Sequence, residues 1–221
     1  GIAVAVVVAL GLAGTAGAWY TGTQMEGVLR DAVARSNAQI EEAMPGGAVR
    51  LEMTDFQRGF FSSAARYELT YPGGEDEGPA TLTMLDSLEH GPFPVSRLAS
   101  LQLAPVMATS EAVFERSEAL EPLFAASGDQ QPVVVRSTLG YTNSINGSIS
   151  TAAMTFEDEK VTAQLAPIML EFDTDVEGNA VVLDGRWQGV QMASQPGLEE
   201  SFTLQVADVT LFTDQRRGSA G

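Results

Sequence analysis

Cysteine is absent from this chain of 221 residues. That excludes disulfides, thiolate metal centres and thiol nucleophiles. Histidine occurs once, as His90, and lysine once, as Lys160. One histidine without cysteine does not supply the usual ligands of a zinc site. Any Ser-His-Asp arrangement would have to run through His90, yet the chain holds no G-x-S-x-G elbow. Basic side chains are scarce as well: 12 Lys and Arg stand against 29 Asp and Glu, a formal charge of −17. Such a surface repels phosphate backbones and anionic headgroups, so nucleic acid is excluded as a partner. No glycine-rich loop leads from a strand into a helix, which leaves nucleotide binding without support. Neither a cofactor nor a catalytic set is expected.

What the chain does have is one long apolar run, Ile2 to Tyr20, built from Val, Ala, Leu and Gly and closed by Trp19-Tyr20. About 20 helical residues at ~1.5 Å each cross the ~30 Å hydrocarbon core of a bilayer. A Trp-Tyr pair suits the interface where the crossing ends. Ala16-Gly17-Ala18 has the small residues of a signal-peptidase site, but the run exceeds the ~7–15 residues of a signal-peptide core. A retained anchor over residues 1–22 is therefore expected, with a cleaved leader or a buried core helix as the alternatives.

Thr23-Gln24-Met25-Glu26 has the form of a capping box. Met25, Leu29, Val33, Ile40 and Met44 then recur at helical spacing, with a polar gap at Ser36-Asn37, until Pro45-Gly46-Gly47. The pattern predicts an amphipathic helix over 23–47. From Ala48 the period becomes two. Val49, Leu51 and Met53, then Ala65, Tyr67, Leu69 and Tyr71, alternate with polar neighbours, and Thr81 to Leu88 reads as a third strand. The Ala- and Glu-rich stretch 101–126 reads as helical, giving a helical insert near 103–126. Strands resume at Val133–Tyr141, Ile145–Thr151, Ala153–Phe156, Val161–Leu165, Ile168–Phe172, Ala180–Trp187 and Phe202–Phe212, with Asn146-Gly147 and Glu157-Asp158-Glu159 as turn signals. The expected fold is mainly β with an N-terminal helix (α+β). Its body is a curved antiparallel meander sheet over 48–213, and a polar tail at 214–221 is expected to be disordered.

Two short motifs stand out by composition: Arg58-Gly59-Phe60-Phe61-Ser62-Ser63 and His90-Gly91-Pro92-Phe93-Pro94. Gly59 suits a turn or bulge, and consecutive Phe60 and Phe61 would point to opposite faces of a strand. The two prolines remove backbone donors, forbid a central strand and leave a stiff segment with Phe93 projecting. Behind an N-terminal segment ending Ala18-Trp19-Tyr20-Thr21-Gly22, these motifs resemble the YdgA-like family of proteobacterial envelope proteins. Leu120-Glu121-Pro122-Leu123-Phe124 and Leu139-Gly140-Tyr141 are similar more loosely. The resemblance implies a single-pass bacterial inner-membrane protein with its domain in the periplasm, and it supplies no catalytic residues. Family members are longer, so the chain resembles the N-terminal part of one, or a shortened relative.

Asp173-Thr174-Asp175-Val176-Glu177-Gly178, with Asp184 beyond it, approximates a calcium loop, but strand-like flanks favour an acidic hairpin turn. The functional expectation is a non-enzymatic, membrane-anchored periplasmic protein. It would bind lipid or another envelope protein through a curved sheet, with Phe60, Phe61, His90, Phe93 and Trp187 as candidate contacts. A hydrolase using His90 and a calcium-stabilised scaffold are the alternatives.

Overall fold

Helix α1 (Met25–Ala43) buries Leu29, Ala32, Val33, Ser36 and Ile40, one face at the i, i+3, i+4 spacing that an amphipathic helix presents to a core. Glu26 pairs with Arg30 one turn later on the solvent side. The polar gap at Ser36-Asn37 faces inward: Ser36 is buried, and the Asn37 side chain bonds the backbone of Leu51 in β1. Gly46, at φ 72°, takes a left-handed conformation beyond the helix. The computed structural model describes residues 25–46, 49–59, 61–72, 78–91, 93–142, 144–175, 180–195 and 201–216. The apolar run Ile2–Tyr20 and Thr23 of the capping box lie outside them. Among the described residues no helix is long and apolar enough to cross a membrane.

The body is one antiparallel, unclosed sheet. Strands β1 (Arg50–Arg58), β2 (Ser62–Tyr71), β3 (Ala80–His90), β4 (Ala108–Phe114), β5 (Val133–Leu139) and β6 (Ser144–Thr151) follow one another in space as in sequence. β9 (Ile168–Asp175) then pairs with β6, and β10 (Ala180–Ser194) with β9. With 15 residues, β10 pairs β9 through its first half and β8 (Val161–Leu165) through its second. β7 (Met154–Glu157) lies outside β8. β11 (Thr203–Arg216) runs along the other side of β10. The β7–β8 turn is held by Asp158, whose carboxylate accepts from the N–H groups of Lys160 and Val161. Those two bonds lower its pKa.

One face of this sheet is the core. Leu51, Tyr67, Leu69, Met84, Leu88, Val135, Leu139, Ile145, Ile149 and Phe172 form a single buried cluster with Leu29, Val33 and Ile40 of α1. Phe124, from helix α3 (Glu121–Ala126), and Leu120, from the 3-10 turn before it, complete the cluster. Arg116 fastens that turn by pairing with Glu121 and Asp129 over the ring of Phe124. The opposite face carries charged pairs such as Arg136–Glu111 and Arg66–Glu115.

Three expectations fail, each for a local reason. The stretch 101–126 contains strand β4, and only Glu121–Ala126 is α-helical within its second half. The inward residues of β4, Ala108, Ser110, Ala112 and Phe114, are mostly small, so their alternation is faint in the sequence. Asn146-Gly147 lies inside β6 and is not a turn. Asn146 donates to Asp173 at 2.9 Å, while a Cβ on Gly147 would overlap the ring of Phe172 in β9. The tail expected to begin at 214 is strand through Arg216, because Asp214–Arg216 pair with Ala180–Val182.

Candidate functional site

The two odd motifs, 27 or more residues apart in sequence, meet in space. Gly59 donates to the Ser62 carbonyl at 2.7 Å, and a Cβ at position 59 would come within 2.5 Å of that oxygen, so the turn between β1 and β2 requires glycine. The Phe61 carbonyl accepts from the His90 N–H at 2.8 Å, extending the β2–β3 ladder beyond Ser62↔Glu89. Gly91, at φ 101°, then turns the chain and donates to Met107 at 3.1 Å. The expectation that Phe60 and Phe61 alternate across a strand is corrected. Phe61 sits between β1 and β2 and points outward, 73% exposed, while Phe60 lies outside the described residues.

At this corner the Ser63 hydroxyl is 2.9 Å from Nε2 of His90, and the imidazole tautomer decides which group donates. Ser63 is buried, and Nδ1 of His90 is buried with no hydrogen-bond partner. Burial lowers the His90 pKa, which keeps the ring neutral. Glu89, on the other face of β3, accepts from the backbone N–H and the hydroxyl of Ser96. It thereby docks the short helix α2 (Val95–Ala99) against the sheet. A cleft of about 550 Å³ opens between them, lined by Glu89, Ser96, Arg97, Gln102, Thr109 and Arg136. Its walls are hydroxyls, amide and paired charge, and Glu89 accepts from the Ser96 and Thr109 hydroxyls with no histidine among the lining residues.

Around α2 the surface changes character. Phe93, Val95, Leu98, Leu101 and Leu103 are all exposed, and Leu101 holds a left-handed backbone (φ 57°) while 83% exposed. Between Gly91 and Ala108 only Arg97 is charged, in a chain of net −17. An exposed apolar cluster of this kind marks an interaction surface more than an isolated exposed leucine does. The candidate contacts Phe61, His90 and Phe93 thus share one corner. Trp187 does not: it lies on β10, with β4, β5, β6 and β9 between it and β3, and its indole donates to the Ala166 carbonyl at 3.1 Å. Val95, Leu98, Leu101 and Leu103 were not singled out from the sequence, although the near-absence of charge between Gly91 and Ala108 was a legible signal.

Behind the corner a row of small side chains, interrupted by Leu88, crosses the core face. Ser63 lies opposite Leu88, Leu88 opposite Ser110, Ser110 opposite Ser137, and Ser137 opposite Gly147. Asp86, 1% exposed, accepts from Ser110 at 2.5 Å through one oxygen, while the other has no partner. Burial pushes the Asp86 pKa up to about 7, against a smaller opposing effect of the Ser110 bond. Tyr67, diagonal to Asp86 across β2 and β3, is also buried with an unbonded hydroxyl. Its pKa is raised by burial first and by the Asp86 charge second. Of the calcium-loop residues, Asp173 accepts from Asn146 and Asp184 lies 3.5 Å from Arg186. Among the described residues no group of three or more acidic or histidine side chains is arranged to hold a metal.

The chain is 34% identical over 194 residues to "Protein YdgA" of Escherichia coli (strain K12), which covers 85% of this chain and 38% of that protein. It is 29% identical over 153 residues to the same organism's "Uncharacterized protein YihF", covering 67% of this chain and 31% of that protein. An uncharacterized protein of Haemophilus influenzae is 23% identical over 161 residues, covering 72% and 43% respectively. The matched region thus spans less than half the length of each relative. No solved structure matches. Residues 2–221 match the family described as "Bacterial protein of unknown function (DUF945)", and the chain belongs to that family.

Proposed function

We propose that this is a non-enzymatic, single-pass inner-membrane protein whose β-domain stands in the periplasm and engages lipid through the corner where Phe61, His90 and Phe93 converge. The observation that carries this reading is the cluster of exposed Phe61, Phe93, Val95, Leu98, Leu101 and Leu103. From Gly91 to Ala108 the only charged side chain is Arg97, so this segment adds nothing to the repulsion that the acidic chain, Glu89 beneath α2 included, offers an anionic bilayer. Each such side chain contributes about 1.5–3 kcal/mol when fully withdrawn from water. A few together suffice to hold a segment at a membrane interface. The run Ile2–Tyr20 would keep the corner near the bilayer.

The test uses the absence of native cysteine. Leu101→Cys, labelled with an environment-sensitive fluorophore, is reconstituted through the whole chain into phosphatidylcholine vesicles with and without phosphatidylglycerol. A blue shift that Leu98→Glu with Leu103→Glu abolishes is expected. Emission that stays as in water in both vesicles would eliminate lipid engagement at this corner, whatever the fate of the anchor.

The Ser63–His90 contact favours a second reading, a hydrolase acting on envelope material. Against it stand the burial of Ser63 and the unpartnered Nδ1, where a triad places its orienting carboxylate. Ester hydrolysis by the purified protein that Ser63→Ala leaves unchanged would remove this reading.

A further inference from the structure

The sheet has three edges, and the fold treats them differently. On the β1 edge α1 packs near the start of the strand, where its Asn37 side chain occupies the backbone of Leu51. The β7 edge has four residues, too short to recruit a long strand. The β11 edge has 14 residues and pairs, among the described residues, with β10 alone. Leu204, Val206, Val209, Leu211 and Phe212 on it are exposed. From Thr203 to Phe212 only Asp208 is charged. This is the composition of an inner strand placed at a rim. Natural sheets blunt long edges with charge, proline or a covering element; β11 has no lysine or proline, its charges are Asp208 and, at its end, Asp214 and Arg216, and among the described residues nothing covers it.

β11 is also held in a defined path. Most apolar residues occupy odd positions in one half of the ribbon (Val181, Leu183, Trp187, Val209, Leu211, with Val182 and Phe212 as exceptions) and even positions in the other (Val190, Met192, Leu204, Val206). The parity changes across Gly189 (φ 112°) and Asp208 (φ 56°), the two positive-φ residues of the ribbon. Such paired irregularities keep one apolar side continuous where a straight ladder would reverse it.

We infer that β11 is an inner strand of a wider sheet, its free edge paired in the natural protein by a β-strand from the part of the family's chain that lies outside the region described here. The relatives supply the length: the matched region makes up 38%, 31% and 43% of them. A second copy of this chain is the weaker occupant, because two bodies of charge −17 repel. The inference is independent of lipid engagement at the His90 corner.

Photo-crosslinking residues at Gln205 and, separately, Thr210 of the natural protein in its own cells test it, with Arg50 on the β1 edge as the control. The expected product is an intramolecular crosslink to a peptide of the same polypeptide outside these 221 residues. A β11–β11 crosslink between copies, a crosslink to another protein or to lipid, or no crosslink at all would overturn the inference. Hydrogen exchange on the unsubstituted natural chain gives a second measurement: β11 amides should exchange as slowly as those of β10, and rapid exchange on alternate β11 amides would overturn it.

Discussion

Asn37 in α1 and Leu51 in β1 are joined by two hydrogen bonds: the Leu51 N–H donates to Oδ1 at 2.9 Å, and Nδ2 donates to the Leu51 carbonyl at 2.8 Å. A side-chain amide here stands where a neighbouring strand's backbone would be. The bond pair fixes the helix to the sheet and occupies the β1 edge at Leu51. Removing it leaves a buried donor and acceptor at Leu51 unsatisfied, each costing about 1–3 kcal/mol. Asn37→Ala should therefore lower unfolding free energy by about 2 kcal/mol or more in urea titration. A loss below about 0.5 kcal/mol, the level of an ordinary surface substitution, would show the pair to be incidental.

Asp86 sets a pH dependence. An aspartate titrates near ~3.9 when unfolded, and burial raises it to about 7 in the fold. Between these values the folded state holds a proton that the unfolded state has released, so stability falls as pH rises from about 4 to about 7. Three pKa units correspond to a loss on the order of 4 kcal/mol. Asp86→Asn keeps an acceptor for Ser110 and cannot ionise. It should flatten the slope and be the more stable protein at pH 8. Parallel slopes in the two proteins would refute the assignment to Asp86.

His90 titrates in the opposite sense. Its pKa is depressed by burial, so its contribution to stability is present above the unfolded value of ~6.5 and is lost as pH falls through the folded value. As the only histidine, it gives an unambiguous proton NMR signal. The ring should titrate below ~6.5 in the folded protein. A midpoint at or above that figure would mean that the ring is not buried against Ser63.

Gly189 tests the β10–β11 ribbon. Its φ of 112° is strained for any other residue, and an added Cβ would overlap the Val206 carbonyl. Gly189→Ala should destabilise by more than about 1 kcal/mol and increase proteolytic nicking along β11 before other sites. Unchanged melting and an unchanged digestion pattern would show that the ribbon tolerates a straight path.

Much of this fold was legible. Period-two alternation marked β1 to β3, because their inward positions are large: Leu51, Tyr67, Leu69, Met84 and Leu88. β4 escaped because Ser110 and Ala112 belong to the small-residue part of the core, where alternation carries little hydrophobic contrast. Asn146-Gly147 misled because glycine there makes room for Phe172 from another strand, a tertiary requirement written in the same letters as a turn.

At the candidate site the motif residues were visible as oddities of composition, and the Phe61 and His90 backbones pair, with Phe93 exposed three residues on. Their meeting depends on the β2–β3 register, Ser63 opposite Leu88, which no local pattern states. Trp187 joined the candidates on residue type alone, and the strand order carried it elsewhere.

The sequence by itself determined chemistry and local geometry: the want of cysteine, the single histidine, the acidic charge, an amphipathic helix within 23–47 and the alternation of the first strands. These follow from side-chain type and near-neighbour spacing. Only the tertiary structure decided that two distant motifs form one corner, that Asp86 loses its water, and that the largely apolar β11 lies at a rim. Those outcomes depend on strand pairing and burial between residues far apart in the chain, where the free energy belongs to the assembled sheet and to no single segment.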